Sequence, residues 1–458
     1  MVCSLVTAAV AAVLSTVAVA AEAATCGPNQ KCPESAPCCS AYGQCGVGAY
    51  CLGGCDPKYS FSLNSCVPAP VCQSEDYQLN SLDDIAPIDE YLGDASEANW
   101  VASGQPVAYN DEAVLLTMAP ETVGTLLATT HYVWYGRISA TLTTSQGAGV
   151  VTAFIMMSDV KDEIDFEFVG VDLEHAQSNF YSQGVTNYNN GANLSVSNTV
   201  ENVHTYTIDW TPDAITWIID GDEMRTQKRE DTWNSTANRF DFPQTPSRVM
   251  LSLWPAGLPS NGEGTIEWGG GLVDWNSEYM QNGYYYAMVN EVKVECYDPP
   301  RGANTTGDNS YVYNDYAATN DTVAIVDREV VLASLHATGD DPDIDPDATD
   351  DDEPSSTSSS SSQSTSAEVN TVPGVSGAGA RSDENSASDD SDSGDSSDSG
   401  DSGNSASPSS SSGGSSGFSQ GDGSTGGDEN AAPGKPERIL TGGSAVAIVV
   451  ALVGLLVL

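Results

Sequence analysis

From about Gln73 to Asp298 the chain alternates apolar and polar side chains in short runs, as in TTHYVWYGRISATLTT, GVVTAFIMMS, HTYTIDWTPDAITWIIDG and RVMLSLWPAG. Gly, Asn and Pro separate the runs, and long helical periodicity is scarce. Many short strands at this spacing predict an all-β domain, a β-sandwich of jelly-roll type. A sheet of that kind can curve into an open groove that suits a polymer.

One run differs from the rest. Asp162–Phe168 reads DEIDFEF, with acids and large apolar residues in strict alternation. On a strand the side chains at i, i+2 and i+4 share a face, so Ile164, Phe166 and Phe168 should enter a core while Glu163, Asp165 and Glu167 point the other way. A solvated outer face is the ordinary reason for such alternation. It does not explain the uniform sign, because carboxylates repeated every second residue repel one another and raise each other's pKa. Such a row suits chemistry that needs one ionised and one protonated carboxyl.

Composition changes at both ends. Residues 1–24 hold the run LVTAAVAAVLSTVAVAA before Ala21-Glu22-Ala23, which reads as a secretory signal; its n-region has no Lys or Arg, and the competing reading is a membrane anchor. At the other end an apolar tail, Ser444 to Leu458, follows the spacer PGKPERILTGG and the small residues Asn430-Ala431-Ala432. That order reads as a glycosylphosphatidylinositol (GPI) anchor signal, with attachment at Asn430 and residues 431–458 removed. The mature protein should then be secreted and tethered by lipid outside the cell at the plasma membrane, and of eukaryotic source. Residues 301–430 are rich in Ser, Asp, Gly and Thr and are expected to form a disordered spacer. Much of the net charge of −49 lies there, which argues against a nucleic-acid partner.

Eleven cysteines occur, and ten remain once Cys3 leaves with the signal. In a secreted chain an even number implies disulfides, and paired zinc-site spacings are missing. The front segment, residues 25–72, is too short to bury much core and must be held by bridges. Its Cys38-Cys39-Ser40-Ala41-Tyr42-Gly43-Gln44-Cys45-Gly46 and Tyr50-Cys51 resemble the hevein-like chitin-binding module across Cys26 to about Cys66. The resemblance implies that Ser40, Tyr42 and Tyr50 contact an N-acetylglucosamine chain, and that Cys26, Cys32, Cys38, Cys39, Cys45, Cys51, Cys55 and Cys66 are used within the module. Gln44 stands where that family has an aromatic, so one stacking platform is missing; the other reading is a disulfide knot that binds nothing. Cys72 and Cys296 are then left over and should bridge the next domain, residues 73–300, from end to end.

DEIDFEF also fits the E-[IL]-D-x-E motif of glycoside hydrolase family 16, and YTIDWTPDAITWIIDG, PQTPSRVMLSLWPAG and GTIEWGGG resemble its fungal Crh-type branch. That branch consists of GPI-anchored cell-wall transglycosylases that move chitin onto β-glucan. The resemblance implies Glu163 as nucleophile, Asp165 as assisting acid and Glu167 as general acid/base. It also implies Trp254 and Thr265 as sugar contacts. Arg248 shares a strand face with Trp254 and reads either as a hydroxyl ligand or as an ion-pair partner, while Asn179, Tyr181 and Gln183 are candidates to line the groove. The histidines, His131, His175, His204 and His336, show no ligand spacing, so neither a metal nor a cofactor is expected. Sequons place N-glycans at Asn193, Asn234, Asn304 and Asn320. The partners implied are chitin and β-glucan. The alternatives are a hydrolase, an endo-glucanase or chitinase, with the same carboxylates, and a non-catalytic chitin-binding wall protein.

Overall fold

The computed structural model describes residues 24–346 and 348. The signal, most of the spacer, the anchor signal and Asn430 lie outside the described residues. Two eight-stranded sheets carry the central domain. In the first, the strands run in spatial order Ala192–Ser195, His175–Tyr181, Glu163–Val169, Val150–Ser158, Ser247–Pro255, Thr125–Thr129, Trp100–Ser103 and Ile85–Pro87. All neighbours pair antiparallel except the last two, which are parallel. In the second sheet the long strand Tyr285–Cys296 lies beside Gly136–Thr143 and Ala113–Met118, and it also pairs with Glu75–Gln78.

The period-two pattern accounts for the core. Ile164, Phe166 and Phe168 face the second sheet and are nearly inaccessible, joining Phe154, Tyr206, Trp210 and Trp217 in one cluster. Phe166 stacks between Phe154 and Phe168 at centroid distances of 6.2 and 6.4 Å. A separate apolar cluster of Leu126, Ala128, Ala153, Ile155, Met157, Tyr181 and Met250 lies on the opposite face of the first sheet, the face that bears the acids. The expected β-sandwich is the observed fold.

Five disulfides are formed: Cys26–Cys39, Cys32–Cys45, Cys38–Cys51, Cys55–Cys66 and Cys72–Cys296. The last spans 224 residues and closes the central domain as expected. Closing so long a loop is worth about 5 kcal/mol in the chain-entropy account. The sulfurs of Cys26, Cys32 and Cys39 lie within 4.8 Å of one another, but each is already bonded in a disulfide.

The expected start of the spacer at residue 301 is corrected by the structure. Strands Asn304–Thr305, Ser310–Tyr313 and Val323–Val326 form a four-stranded sheet with Ala69–Pro70 of the front segment. Tyr311, Val323 and Ile325 join the main core. Residues 330–340 then brace the front segment: Leu332 and Ala337 pack on Leu52, Gly48 donates a backbone hydrogen bond to the Ala337 carbonyl, and Ser65 donates to Asp340. Gly48 has φ +60° and lies so close to Leu335 that a side chain there would overlap its backbone. Average composition hid this brace, because its apolar residues come in runs of three or four among Asp, Thr and Asn.

Candidate active site

Asp162, the first residue of DEIDFEF, fixes where the acidic strand begins. Its fully buried carboxylate accepts hydrogen bonds from the Gln183, Gln244 and Thr245 backbone N–H groups and from the Thr245 hydroxyl, at 2.7–3.1 Å. Two distant segments are thereby tied to one side chain, and the strand that follows has its register set. Glu163 lies opposite Met157 and Tyr181, Asp165 opposite Ile155 and Asn179, and Glu167 opposite Ala153 and Gln177. The indole N–H of Trp217, from the second sheet, donates to the Asp165 carbonyl at 2.9 Å.

The three carboxyls are withdrawn from water. Glu163 is 5% exposed and Asp165 1%, while Glu167 is more open. Neither oxygen of Asp165, nor Glu163 Oε2, has a hydrogen-bond partner of ordinary geometry within the protein. Burial pushes Glu163 well above the usual carboxylate range, and the neighbouring Glu167 adds to it. Burial does the same to Asp165, reinforced by Glu167 and Glu163 and opposed by Arg225. Burial raises Glu167 to about 7. The cluster therefore retains protons at neutral pH and can keep a protonated acid beside an ionised one.

This has a consequence for stability. An unfolded Glu loses its proton near pH 4.3, whereas folded Glu167 holds its own to about 7, so the folded state binds more protons between those values. Stability contributed by this group is present at low pH and is lost as pH rises through 7. Thermal unfolding should show Tm rising as pH falls from 7 toward 5, with Asp56, raised by burial to about 6, acting in the same direction. Glu167→Gln should flatten that slope; an unchanged slope would contradict the assigned protonation.

The family description Glycosyl hydrolases family 16 matches residues 94–270, a span that includes the carboxylate strand. Crh-like protein 3 of Botryotinia fuckeliana (strain B05.10) is 58% identical over 317 residues, covering 69% of this chain and 71% of that protein. Crh-like protein 2 of Aspergillus fumigatus is 51% identical over 376 residues, covering 81% of this chain and 83% of that protein. The chain belongs to the Crh-like proteins of glycosyl hydrolase family 16. Among solved structures, Crh5 transglycosylase in complex with NAG is 29% identical, with a TM-score of 0.48 and coverage of 59% of this chain and 100% of that one.

In this Crh-like chain the expected substrate contacts fall into separate places. Trp254 shares the face of the acids but is only 2% exposed, because Trp268 of the short helix Glu263–Trp268 stacks over it at 6.0 Å. The expected direct stacking of Trp254 on a sugar is thus corrected: the outer indole is Trp268, held by a 2.9 Å hydrogen bond to Gln177, in the same row as Glu167. Thr265 sits half-buried on that helix, at the same end of the face. Arg248 lies in the row of Glu163 but turns toward the front segment, so close to Gly53 that a Cβ there would overlap its guanidinium. The expected reach of Arg248 for a sugar hydroxyl beside the acids is corrected accordingly.

Gln183 also serves a joint. It accepts from Arg239 and Lys58 and donates to the Ala317 and Ala318 carbonyls. Asn179 and Tyr181 do remain on the acid face, with the Asn179 amide donating to the Tyr181 hydroxyl at 2.7 Å. Ser40, Tyr42 and Tyr50 face the central domain, within a cavity lined also by Tyr132 and Met250. Asn193 and Asn304 are exposed, whereas the Asn234 amide donates to Asp241 and Asn320 is half-buried. Sequence reasoning missed Asp162, Arg225 and Trp268. Only Asp162 carried a signal, as an acid placed just before the alternation.

Proposed function

We propose that this chain is a retaining transglycosylase that cleaves chitin and transfers it to β-glucan, cross-linking the fungal wall. The observation that carries the reading is the row of Glu163, Asp165 and Glu167 on one strand face, the first two buried and the third half-buried, all with raised pKa values. Glu167 protonates the departing glycosidic oxygen while Glu163 attacks the anomeric carbon and forms a glycosyl-enzyme. Glu167, now deprotonated, takes the proton of an acceptor hydroxyl as that oxygen displaces Glu163. Asp165, between them, resists ionising and keeps negative charge from accumulating at the centre of the row.

Beside the acids the face has an apolar floor, which suits the flat, hydroxyl-rimmed rings of a polysaccharide. The front segment, by its resemblance to the hevein-like module, is assigned to the chitin side of the reaction. Secretion and a GPI anchor are part of the same proposal and rest on the terminal sequences alone.

Incubation with chitin oligosaccharides and a fluorescently labelled β-glucan oligosaccharide tests the reading. A labelled hybrid product is expected, formed faster than new reducing ends in the absence of acceptor. Reducing ends without hybrid product would make the protein a hydrolase. Firm chitin binding with neither product would make it a wall lectin. Because the acid must be protonated, the transfer rate should also decline as pH rises above about 7.

A further inference from the structure

The front segment does not present Ser40, Tyr42 and Tyr50 to the outside. They form one wall of a cavity whose other wall is the acid-bearing face of the first sheet, including Leu126, Arg248 and Met250. Both tyrosines are half-buried, and the Tyr50 ring packs over Gly46. The segment is held in this position at several points. Gly54 N–H donates to Asp159 Oδ1 at 2.9 Å, and the Tyr132 hydroxyl donates to the same oxygen at 2.8 Å. Lys58 donates to Gln183 at 3.3 Å, and the 330–340 brace closes the far side.

The floor of this cavity continues to the carboxyls. Leu126, Ala128, Met157 and Met250 line the cavity and belong to the same cluster as Ile155 and Tyr181. Met157 is directly opposite Glu163, and Ile155 is opposite both Asp165 and Met250. Neighbouring strands are about 4.8 Å apart, so the Ser247–Pro255 and Thr125–Thr129 strands place the slot roughly 10–15 Å across the sheet from the acids. Across the strands, the row of Glu163 leads to Arg248, the row of Asp165 to Met250 and Ala128, and the row of Glu167 to Leu126, so a polymer laid across the strands from the acids would arrive at the floor that faces Tyr42 in the cavity. Aromatic rings facing an apolar floor, with an arginine and hydroxyls at the edge, recognise a ring that has flat apolar faces and a polar rim.

We propose that this slot is a distal saccharide subsite of the catalytic face, built jointly by the two parts of the chain, and that it takes the far end of a β-1,4-linked N-acetylglucosamine chain. The front segment is then a wall of the reaction site, and it selects long donor chains over short ones. The inference rests on the transglycosylase reading for the identity of the chain, but its test needs no turnover. In a Glu163→Gln background, N-acetylglucosamine oligosaccharides of increasing length are titrated by calorimetry. Affinity should step up at the length that spans from the acids to Tyr42, and Tyr42→Ala should remove about tenfold from that step, the worth of one aromatic contact. Short oligomers should be unaffected, and Tyr42→Phe should keep the step. Leu126→Trp, which fills the slot from the opposite wall, should give the same length-selective loss.

Equal binding by all variants at every length would overturn the proposal, as would an equal loss at every length, the disaccharide included. A step that appears with β-1,3-glucan oligosaccharides in place of chitin oligomers would overturn it as well. Failure of the hybrid-product assay alongside a length-selective step would refute the transfer reaction and leave the slot standing.

Discussion

Glu163→Gln should abolish cleavage and transfer with every donor, a loss on the order of 10⁴-fold or more, as for removal of other catalytic nucleophiles. Glu167→Gln should behave differently. With natural chitin it should lose about 10²–10⁴-fold, the usual worth of a positioned acid. An aryl glycoside whose leaving group needs no proton should still load Glu163. The glycosyl-enzyme would then accumulate, because nothing removes the proton from an acceptor hydroxyl, and azide, which needs no base, should discharge it. Mass spectrometry should find the adduct on Glu163 in the Glu167→Gln protein and no adduct in the Glu163→Gln protein. An adduct in the latter, or refusal of an activated donor by the former, would reverse the roles that the E-x-D-x-E motif assigns to the two groups.

The second large effect concerns the brace. A chain ending after Pro300 should lose the burial of Tyr311, Val323, Ile325 and Leu332, together with the strand that pairs with Ala69–Pro70. Each such side chain is worth about 1.5–3 kcal/mol when fully buried. Even after discounting for residual burial in the unfolded chain, the loss should be several kcal/mol. The urea midpoint should fall markedly, and the front segment should become accessible to proteases. A chain ending after Ala348 should retain the parent midpoint. If the shorter form were equally stable, the brace would be a passive appendage.

The sandwich and the carboxylate strand were legible because both rest on local alternation: burial of every second residue writes itself into Ile164, Phe166 and Phe168, and the acids follow by parity. Relations between distant segments left no such trace. Trp254 has the strand parity of a sugar contact, and nothing in its own strand shows that Trp268 will lie over it. Arg248 and Gln183 have the composition of groove residues, but their partners come from residues 53–58 and 317–318. The brace was hidden because its strands, SYVY and VAIV, are too short to outweigh their polar surroundings in any composition window. The inward orientation of Tyr42 and Tyr50 follows from the docking that this brace enforces.

The pairing of Ala69–Pro70 with Ser310–Tyr313 ties the first-synthesised part of the chain to a late one. As the protein emerges from the ribosome into an oxidising compartment, the front segment exposes nine cysteines, an odd number, of which Cys72 must wait 224 residues for Cys296. Any early capture of Cys72 by one of the other eight strands a thiol, which thiol–disulfide exchange must later release. The segment can fold its four short-range bridges as a unit but acquires its final seat only when residues near 340 arrive. Maturation of this protein should therefore depend on disulfide isomerase and not on oxidant alone, and the seated front segment is a record that synthesis has passed residue 340.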